Sequence, residues 1–437
     1  MQLIGRQLEI LFTALFLLMM QGVFWPPLSY LSKVQGALDA SDPLSAAAHA
    51  GLILFLVVVS LARPRQMLEG VRIAWPIIIL LGLAYLSAFW SDAPELVLRR
   101  ATTLAATTLF AIYLACRFDL GRLVSLLVKL NACAVVASIV VVAVAPRLGL
   151  SGSEDYPNAW RGVFTAKNAL GSMSAFGAMI ALYALWRGYG PRLIAAALIP
   201  ANLLLLYMAQ SATPIVLLFA ASYVAVVASA FRRGNGAGFL VGFALVVIGI
   251  LGIGLLAVGW TEILALLNRS PTLTGRSDIW DAAITYISQR PWLGYGYGAF
   301  WRSDAVEART IWGSLRWIVP HSHNAWLEVG LALGIVGLAG AVLVWLAALY
   351  RAVRVLTLPR ATHVVFCVAI IVAILVVNLT EYEFLRADNY LWVFFTLAFV
   401  HLGHEAAAHR AAREAAAPLL PRRPIGAIAY PAPRTAL

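Results

Sequence analysis

Apolar residues run along this chain in long blocks that short polar segments separate. A run of about 20 apolar residues is long enough to cross the hydrocarbon core of a bilayer as a helix. The blocks therefore predict an all-α integral membrane protein with about twelve transmembrane helices. We place these spans at residues 8–25, 46–62, 74–90, 98–116, 123–145, 168–186, 192–209, 213–231, 238–259, 324–349, 363–379 and 388–402.

The polar segments between the predicted spans alternate in charge. Every second segment is basic, with arginines around residues 63–72, 117–122, 187–192, 232–233 and 351–360. The segments between them carry acidic residues, at Asp39, Asp92, Glu154 and Glu381. Because cytoplasmic loops of membrane proteins are enriched in Lys and Arg, this alternation predicts an even number of spans with both termini in the cytoplasm.

Composition supports a membrane protein rather than a soluble one. The chain of 437 residues is 62% hydrophobic and 12% charged, whereas soluble domains are about 45–50% apolar and about 25% charged. Its net charge of +12 is explained by basic loops beside the spans, so we predict contact with membrane lipids and no nucleic-acid partner. The three cysteines have no spacing typical of a metal or redox site.

One loop outside the cytoplasm, at about residues 260–323, is long enough to form short helices of its own. Residues 277–289 have the apolar periodicity of an amphipathic helix. The glycine- and tyrosine-rich stretch at 294–301 predicts a tight loop at the membrane surface. We therefore divide the chain into a polytopic transmembrane domain at 1–402 and a cytoplasmic tail at 403–437. The tail is rich in Ala, Pro and Arg, and we predict that it is disordered.

Basic residues on the outer side need an explanation, since charge alternation disfavours them there. The candidates to bind an anionic ligand are Arg161, Lys167, Arg269, Arg276, Arg290, Arg302, Arg309 and Arg316. The planar guanidinium of arginine binds phosphate oxygens at two points at once. Salt bridges to nearby acidic residues, or contact with lipid phosphates, would also explain individual arginines.

Two histidines precede the tenth predicted span. A neutral histidine at the membrane edge can accept a proton from a hydroxyl, and His323 is our candidate general base. His321, Asn324 and Glu328 are candidates for orienting this site. Glu328 is included because a carboxylate near a membrane span marks a site or a buried ion pair. We interpret Glu381 as part of a solvated acidic loop, and we predict no metal site.

Three passages resemble those of a known family. The first is Arg161-Gly-Val-Phe-Thr-Ala-Lys167-Asn168, and the second runs from Gly275-Arg276 through Pro291-Trp-Leu-Gly-Tyr-Gly296. The third is His323-Asn324, nine residues, and then Gly334-Ile-Val-Gly337. In this order they resemble the O-antigen ligase and polymerase superfamily of bacterial envelope proteins, which includes exopolysaccharide polymerases. The third passage is similar to the spacing of the ligases.

The resemblance implies a multi-pass enzyme of the bacterial inner membrane with its active site facing the periplasm. It implies an O-antigen ligase, a glycosyltransferase that moves a glycan from undecaprenyl pyrophosphate to a sugar hydroxyl of lipid A–core during lipopolysaccharide assembly. Such transfer is independent of metals and of other cofactors. Arg161, Lys167 and Arg276 would bind the pyrophosphate, and His323 would take the proton of the hydroxyl as the anomeric centre inverts.

Two other functions remain open at this point. A polymerase would use the same donor but transfer the glycan to a second lipid-linked glycan. A transporter of lipid-linked glycans would catalyse no transfer, and twelve spans are common in transporters. Transporters often show related halves and polar residues near the middle of the membrane, whereas the polar residues here concentrate on the outer side.

Overall fold

The computed structural model describes residues 2–23, 43–152, 156–258, 276–315, 318–358 and 363–416. Within these ranges the chain is helical throughout, apart from turns, loops and one isolated bridge between Leu150 and Trp160. The first part of the predicted periplasmic loop and the last part of the predicted tail, residues 417–437, lie outside them.

Helices follow one another with short connections. In chain order they are α1 (Gln2–Met20), α2 (Pro43–Ala62), α3 (Pro64–Ile73), α4 (Trp75–Leu86), α5 (Pro94–Arg117), α6 (Leu120–Val144), α7 (Pro146–Gly149), α8 (Lys167–Arg187), α9 (Arg192–Met208), α10 (Ala212–Phe231), α11 (Gly236–Val258), α12 (Arg276–Gln289), α13 (Val306–Leu315), α14 (Ala325–Leu356), α15 (Val364–Val377) and α16 (Tyr390–Ala416). A single 3₁₀ turn, Ser87–Phe89, extends α4.

Six of these helices are long and apolar enough to cross a membrane, namely α2, α6, α8, α10, α14 and α16. A seventh crossing is possible if α3 and α4 with its 3₁₀ turn count as one span, although the pair is bent by 85°. The helices α9, α15 and residues 236–252 of α11 are apolar but shorter. Each of the twelve predicted spans falls on a helix, and their number as membrane crossings stays a prediction.

Polar contacts between segments that are distant in the sequence form two groups, one towards each end of the helices. At the end that we call the site end, the paired residues are Arg276 and Glu381 (2.7 Å), Arg290 and Asp92 (3.0 Å), and His49 and Asp388 (2.6 Å). At the opposite end they are Arg63 and Glu9 (2.9 Å), and the Arg232 guanidinium and the Leu358 carbonyl (3.2 Å). This grouping follows the charge alternation of the sequence, and which end faces the cytoplasm stays a prediction.

Helix α14 is broken at Gly334, and another part of the chain fills the break. Gly334 has φ +60° and ψ −157°, a region that is accessible essentially to glycine alone. The freed carbonyls of Leu331 and Ala332 accept hydrogen bonds from the amides of Tyr295 (2.8 Å) and Gly296 (2.9 Å). In return, the carbonyls of Pro291 and Trp292 accept from the amides of Ile335 (2.7 Å) and Val336 (3.2 Å). The exchange satisfies backbone groups that an apolar environment would otherwise penalise.

Residues 294–301 form a tight loop, as predicted, and most of them are buried inside the protein rather than exposed at its surface. Tyr295, Tyr297, Phe300 and Trp301 are each no more than 5% exposed. The Tyr297 amide donates to the Ser87 hydroxyl (2.8 Å), and its own hydroxyl donates to the Leu385 carbonyl (2.8 Å). Sequence pattern alone did not reveal that a broken helix would offer this segment backbone partners.

Two other predictions, the amphipathic helix at 277–289 and the disordered tail from residue 403, have different outcomes. The predicted amphipathic helix at 277–289 is confirmed as α12, which buries Ile279 and Ala283. Helix α16, in contrast, continues to Ala416, so the prediction of a disordered tail from residue 403 is wrong as far as that residue. The apolar run that predicted this span ends at residue 402. The Ala, Glu and Arg residues after it are strong helix formers, and they continue the helix.

We predict that Gly334→Ala strongly destabilises the protein. A Cβ atom at residue 334 would overlap the carbonyl group of Trp292, at a φ that alanine rarely adopts. The backbone conformation alone costs about 1–3 kcal/mol. We expect a lower melting temperature in a thermal-shift assay of the detergent-purified protein. In the control Gly82→Ala, the added Cβ meets open space within helix α4, and an unchanged or higher melting temperature is expected; equal losses in both variants would contradict the prediction.

Candidate functional site

The turn 321–324 leads into helix α14 at the site end. Asn324 caps this helix, since its side-chain oxygen accepts from the amides of Trp326 (2.9 Å) and Leu327 (3.2 Å). Asparagine is among the best residues at this position because it satisfies amides that have no partner in the first turn. Its amide nitrogen donates to the Leu379 carbonyl (3.0 Å). Asn324 thus ties the start of α14 to the loop between α15 and α16, which we call the 378–389 loop.

Glu328, in the first turn of α14, holds the turn that precedes its own helix. One carboxylate oxygen, Oε2, accepts from the Ser322 amide (2.9 Å), the Ser322 hydroxyl (2.8 Å) and the Trp301 indole (3.2 Å). Glu328 is 7% exposed, and a buried carboxylate needs such donors. It therefore contacts the residue between the two histidines rather than either histidine.

Glu381 joins a histidine and an arginine that lie far apart in the sequence. Its Oε2 lies 3.2 Å from His323 Nδ1, and its Oε1 lies 2.7 Å from an Nη atom of Arg276. The side chain is 9% exposed, so the prediction of a solvated acidic loop is wrong for this residue. We call Arg276, His321, His323 and Glu381 the histidine cluster.

The electrostatics of the cluster keep Glu381 ionised. Burial alone would raise the pKa of this carboxyl, but the hydrogen bond with His323 and the positive charge of Arg276 outweigh it and hold the pKa below its ordinary value. An ionised carboxylate has no hydrogen to donate, so in the contact between Glu381 Oε2 and His323 Nδ1 the imidazole nitrogen is the donor. The neutral imidazole then carries its hydrogen on Nδ1, and Nε2 has the free lone pair.

His321 lies against His323 and fixes the turn. Its Nδ1 accepts from the His323 amide (3.2 Å), and the two ring centroids are 4.3 Å apart. Burial, together with the positive charges of Arg386 and Arg276, lowers the pKa of His321 well below its ordinary value. His321 is therefore a neutral hydrogen-bond acceptor. His323 itself has φ +52°, a conformation that a residue other than glycine adopts mainly where its surroundings impose it.

The three residues predicted to bind pyrophosphate fall in two places. Arg276 lies in the histidine cluster, where it also donates to the Thr380 carbonyl. Arg161 donates through Nε to the Leu148 carbonyl (2.9 Å). The Lys167 ammonium donates to the Gln210 carbonyl (3.1 Å) and lies 3.3 Å from the centre of the Tyr156 ring.

Arg161 and Lys167 nonetheless lie at the same end of the molecule as the cluster. Helices α8 and α16 pack side by side, with the rings of Phe176 and Tyr390 5.7 Å apart and those of Phe176 and Phe394 4.5 Å apart. Lys167 begins α8, and the 378–389 loop leads directly into α16. The structure thus brings Arg276, His321, His323, Asn324 and Glu328 together around one turn, and places Arg161 and Lys167 on a neighbouring helix connection.

Glu383 is a second carboxyl that the sequence did not single out as a site residue. It is 8% exposed, its Oε2 accepts from the side-chain amide of Asn389, and the same oxygen lies 3.9 Å from an Nη atom of Arg386. Burial raises its pKa to about 7, although Arg386 opposes this shift. Glu381 and Glu383 therefore differ in protonation, and such a difference between neighbouring carboxyls is typical of acid–base sites. The sequence contains one indication of this carboxyl: several charged residues lie together in one short loop, on the side where the outer arginines are predicted.

Comparison with known proteins gives two matches. A family model described as O-antigen ligase matches residues 194–342. The exopolysaccharide production protein ExoQ of Rhizobium meliloti (strain 1021) is 26% identical over 276 residues, which cover 58% of this chain and 60% of ExoQ. The chain therefore aligns with about three fifths of that relative. The predicted resemblance to the O-antigen ligase and polymerase superfamily is confirmed, and with the apolar helices it indicates a multi-pass membrane protein that resembles glycosyltransferases.

We predict that Glu383 makes the stability of the protein depend on pH. Its pKa in the folded protein, about 7, is above the ordinary 4.5, so folding favours the protonated form. The resulting stabilisation is complete below the ordinary pKa and is lost as pH rises through about 7. The melting temperature should fall between about pH 5 and pH 8. Glu383→Gln should weaken this fall and melt higher than wild type at the upper pH.

The matched control is Glu95→Gln, at an exposed position in the first turn of α5. It should retain the fall in melting temperature that wild type shows. Identical pH dependence in wild type and Glu383→Gln would contradict the assignment.

Proposed function

We propose that this protein transfers a glycan from undecaprenyl pyrophosphate to a sugar hydroxyl at the periplasmic face of the bacterial inner membrane. The observation that carries the proposal is Glu381, which binds His323 on one oxygen and Arg276 on the other. A histidine held by a carboxylate is a suitable general base. An arginine beside it is suited to a donor whose leaving group carries negative charge.

In the proposed reaction, His323 acts on the acceptor. Its Nε2 takes the hydroxyl proton as the acceptor oxygen attacks the anomeric carbon of the donor glycan. The bond from that carbon to the pyrophosphate oxygen breaks, and its electron pair leaves on the pyrophosphate. Attack from the side opposite the leaving group inverts the anomeric centre. The imidazolium that forms is stabilised by ionised Glu381, 3.2 Å from Nδ1.

Cationic side chains carry the proposed neutralisation of the leaving group without a metal. Arg276 uses one nitrogen for Glu381 and another for the Thr380 carbonyl. A guanidinium has five N–H groups, so the same side chain can hold Glu381 and still contact phosphate oxygens. We assign Arg161 and Lys167 to the same pyrophosphate, because their helix connection lies at the site end.

His321, Asn324 and Glu328 have a positioning role in this proposal. Glu328 fixes Ser322, His321 accepts from the His323 amide, and Asn324 joins the turn to the 378–389 loop. Together they hold the backbone of His323 from both sides. Such support keeps a base in the productive geometry, where small displacements cost much of the rate.

We propose lipid A–core as the acceptor, which makes the protein an O-antigen ligase. The description of the matching family and the spacing from His323 to Gly334 support this choice. A second acceptor has specific support as well. Since the relative ExoQ is described as an exopolysaccharide production protein, transfer to another lipid-linked glycan, as in a polymerase, is the alternative.

Substitutions in the histidine cluster should slow transfer strongly while the protein stays folded. We expect His323→Ala and Glu381→Gln each to lower the rate about 10²- to 10⁴-fold, because one removes the base and the other removes the charge that fixes its tautomer. The assay uses purified protein, undecaprenyl-pyrophosphate-linked glycan and acceptor, with EDTA present. Glu95→Gln is the matched control and should retain the wild-type rate. An unchanged rate in Glu381→Gln, or a requirement for metal, would refute this mechanism.

The acceptor is identified in the same mixture by offering lipid A–core and lipid-linked glycan together. A ligase should form glycan attached to lipid A–core, visible as a mass increase of that lipid. Longer undecaprenyl-linked chains as the sole product would refute the ligase assignment and support the polymerase. If folded protein forms neither product although a known ligase uses the same substrates, the glycosyltransferase proposal fails and transport of the lipid-linked glycan becomes the better explanation.

A further inference from the structure

A large groove separates helices α1 and α2, away from the histidine cluster. Its volume is about 1120 Å³, which is somewhat above the range of about 300–1,000 Å³ for small-molecule sites. Its walls are almost entirely apolar and include Leu15, Met19, Leu54 and Val58. The rings of Phe12 and Phe55 approach each other across it, with centroids 6.1 Å apart.

Charge is confined to one end of this groove. Glu9 accepts from both Arg63 (2.9 and 3.1 Å) and Arg117 (2.9 and 3.1 Å). Arg6 lines the same end. Three arginines and one carboxylate therefore line this end of the groove, which carries excess positive charge.

The charged end is remote from the proposed reaction. Arg117 ends helix α5, whose first residue, Pro94, lies at the site end next to the Asp92–Arg290 ion pair. A helix of 24 residues is roughly 36 Å long at 1.5 Å per residue. A donor whose pyrophosphate lies at the histidine cluster cannot place the same pyrophosphate at Arg117.

The groove has the shape of an amphiphile. Along α2 it is lined from Leu44 to Ala62, a distance of roughly 27 Å that nearly equals the ~30 Å core of a bilayer. The acyl chains of a lipid from one leaflet reach about half of that core, so they fit the half of the groove next to the arginines, where an anionic headgroup fits. Each of Arg63 and Arg117 uses two nitrogens on Glu9, so N–H groups remain for a phosphate.

We propose that this groove binds an anionic phospholipid from the leaflet at the end opposite the histidine cluster. The lipid phosphate contacts Arg6, Arg63 and Arg117, and the acyl chains lie between α1 and α2. The bound lipid fills a gap that the two helices do not close by themselves. This site is independent of the transfer reaction.

The test is native mass spectrometry of the full chain after exchange into an equimolar mixture of phosphatidylglycerol and phosphatidylcholine. Wild-type protein should retain phosphatidylglycerol preferentially. Arg6→Gln should lower the ratio of bound phosphatidylglycerol to bound phosphatidylcholine about fivefold, which is the effect of one arginine near a lipid phosphate. Arg72→Gln, an exposed arginine of α3 outside the groove, is the matched control and should retain wild-type binding.

A second pair of variants tests the groove itself rather than its charge. An added Cβ at Gly51 meets no atom within 4 Å, and Gly51 lines the groove, so Gly51→Leu should fill it and release lipid without strain. Gly82→Leu, also unobstructed but outside the groove, should bind lipid as wild type does.

Three results would overturn the proposal. These are equal retention of the two phospholipids, unchanged binding in Gly51→Leu, and displacement of phosphatidylglycerol by an equimolar amount of undecaprenyl phosphate. The last result would assign the groove to a polyprenyl carrier instead.

Discussion

Backbone hydrogen bonding in an apolar environment is the constraint on which the site depends. Helix α14 breaks at Gly334, and a break among apolar helices is tolerable only when other groups replace the lost hydrogen bonds. The segment 291–300 supplies them and is thereby fixed beside α14. Trp301, which follows this segment directly, donates to Glu328, and Glu328 holds Ser322 between the two histidines. The position of His323 thus derives from a defect in the helix that follows it.

The second determinant of the site is the distribution of charge over two loops. Arg276 and Glu381 are 105 residues apart in the sequence, and His323 and Glu381 are 58 residues apart. The Glu381 carboxylate offsets the positive charge of Arg276 and sets the tautomer of His323. Arg276, which we predict to lie on the outer side where arginines are disfavoured, is thereby partly neutralised and held in place.

Most of the helices were predictable from sequence because each depends on a local run of apolar residues. His323 could also be selected from sequence as a candidate site residue, because it precedes a predicted span and begins the His-Asn-x9-Gly pattern. Glu381 was misjudged because its burial depends on Arg276 and His323, and nothing near residue 381 indicates them. The burial of Tyr295 and Tyr297 was missed for a similar reason, since their partners are carbonyls freed by the conformation of Gly334. Interactions between distant segments therefore account for these two errors.

The position of Glu381 along the chain has a consequence for biosynthesis. Ribosomes deliver a chain from its N-terminus, so Arg276 and His323 enter the membrane before the 378–389 loop exists. Until α15 and α16 are inserted, the imidazole has no carboxylate to set its tautomer, and the arginine has no counter-charge. In an incompletely synthesised chain the proposed base, His323, therefore lacks its partner, and the histidine cluster is complete only once α15 and α16 are in place.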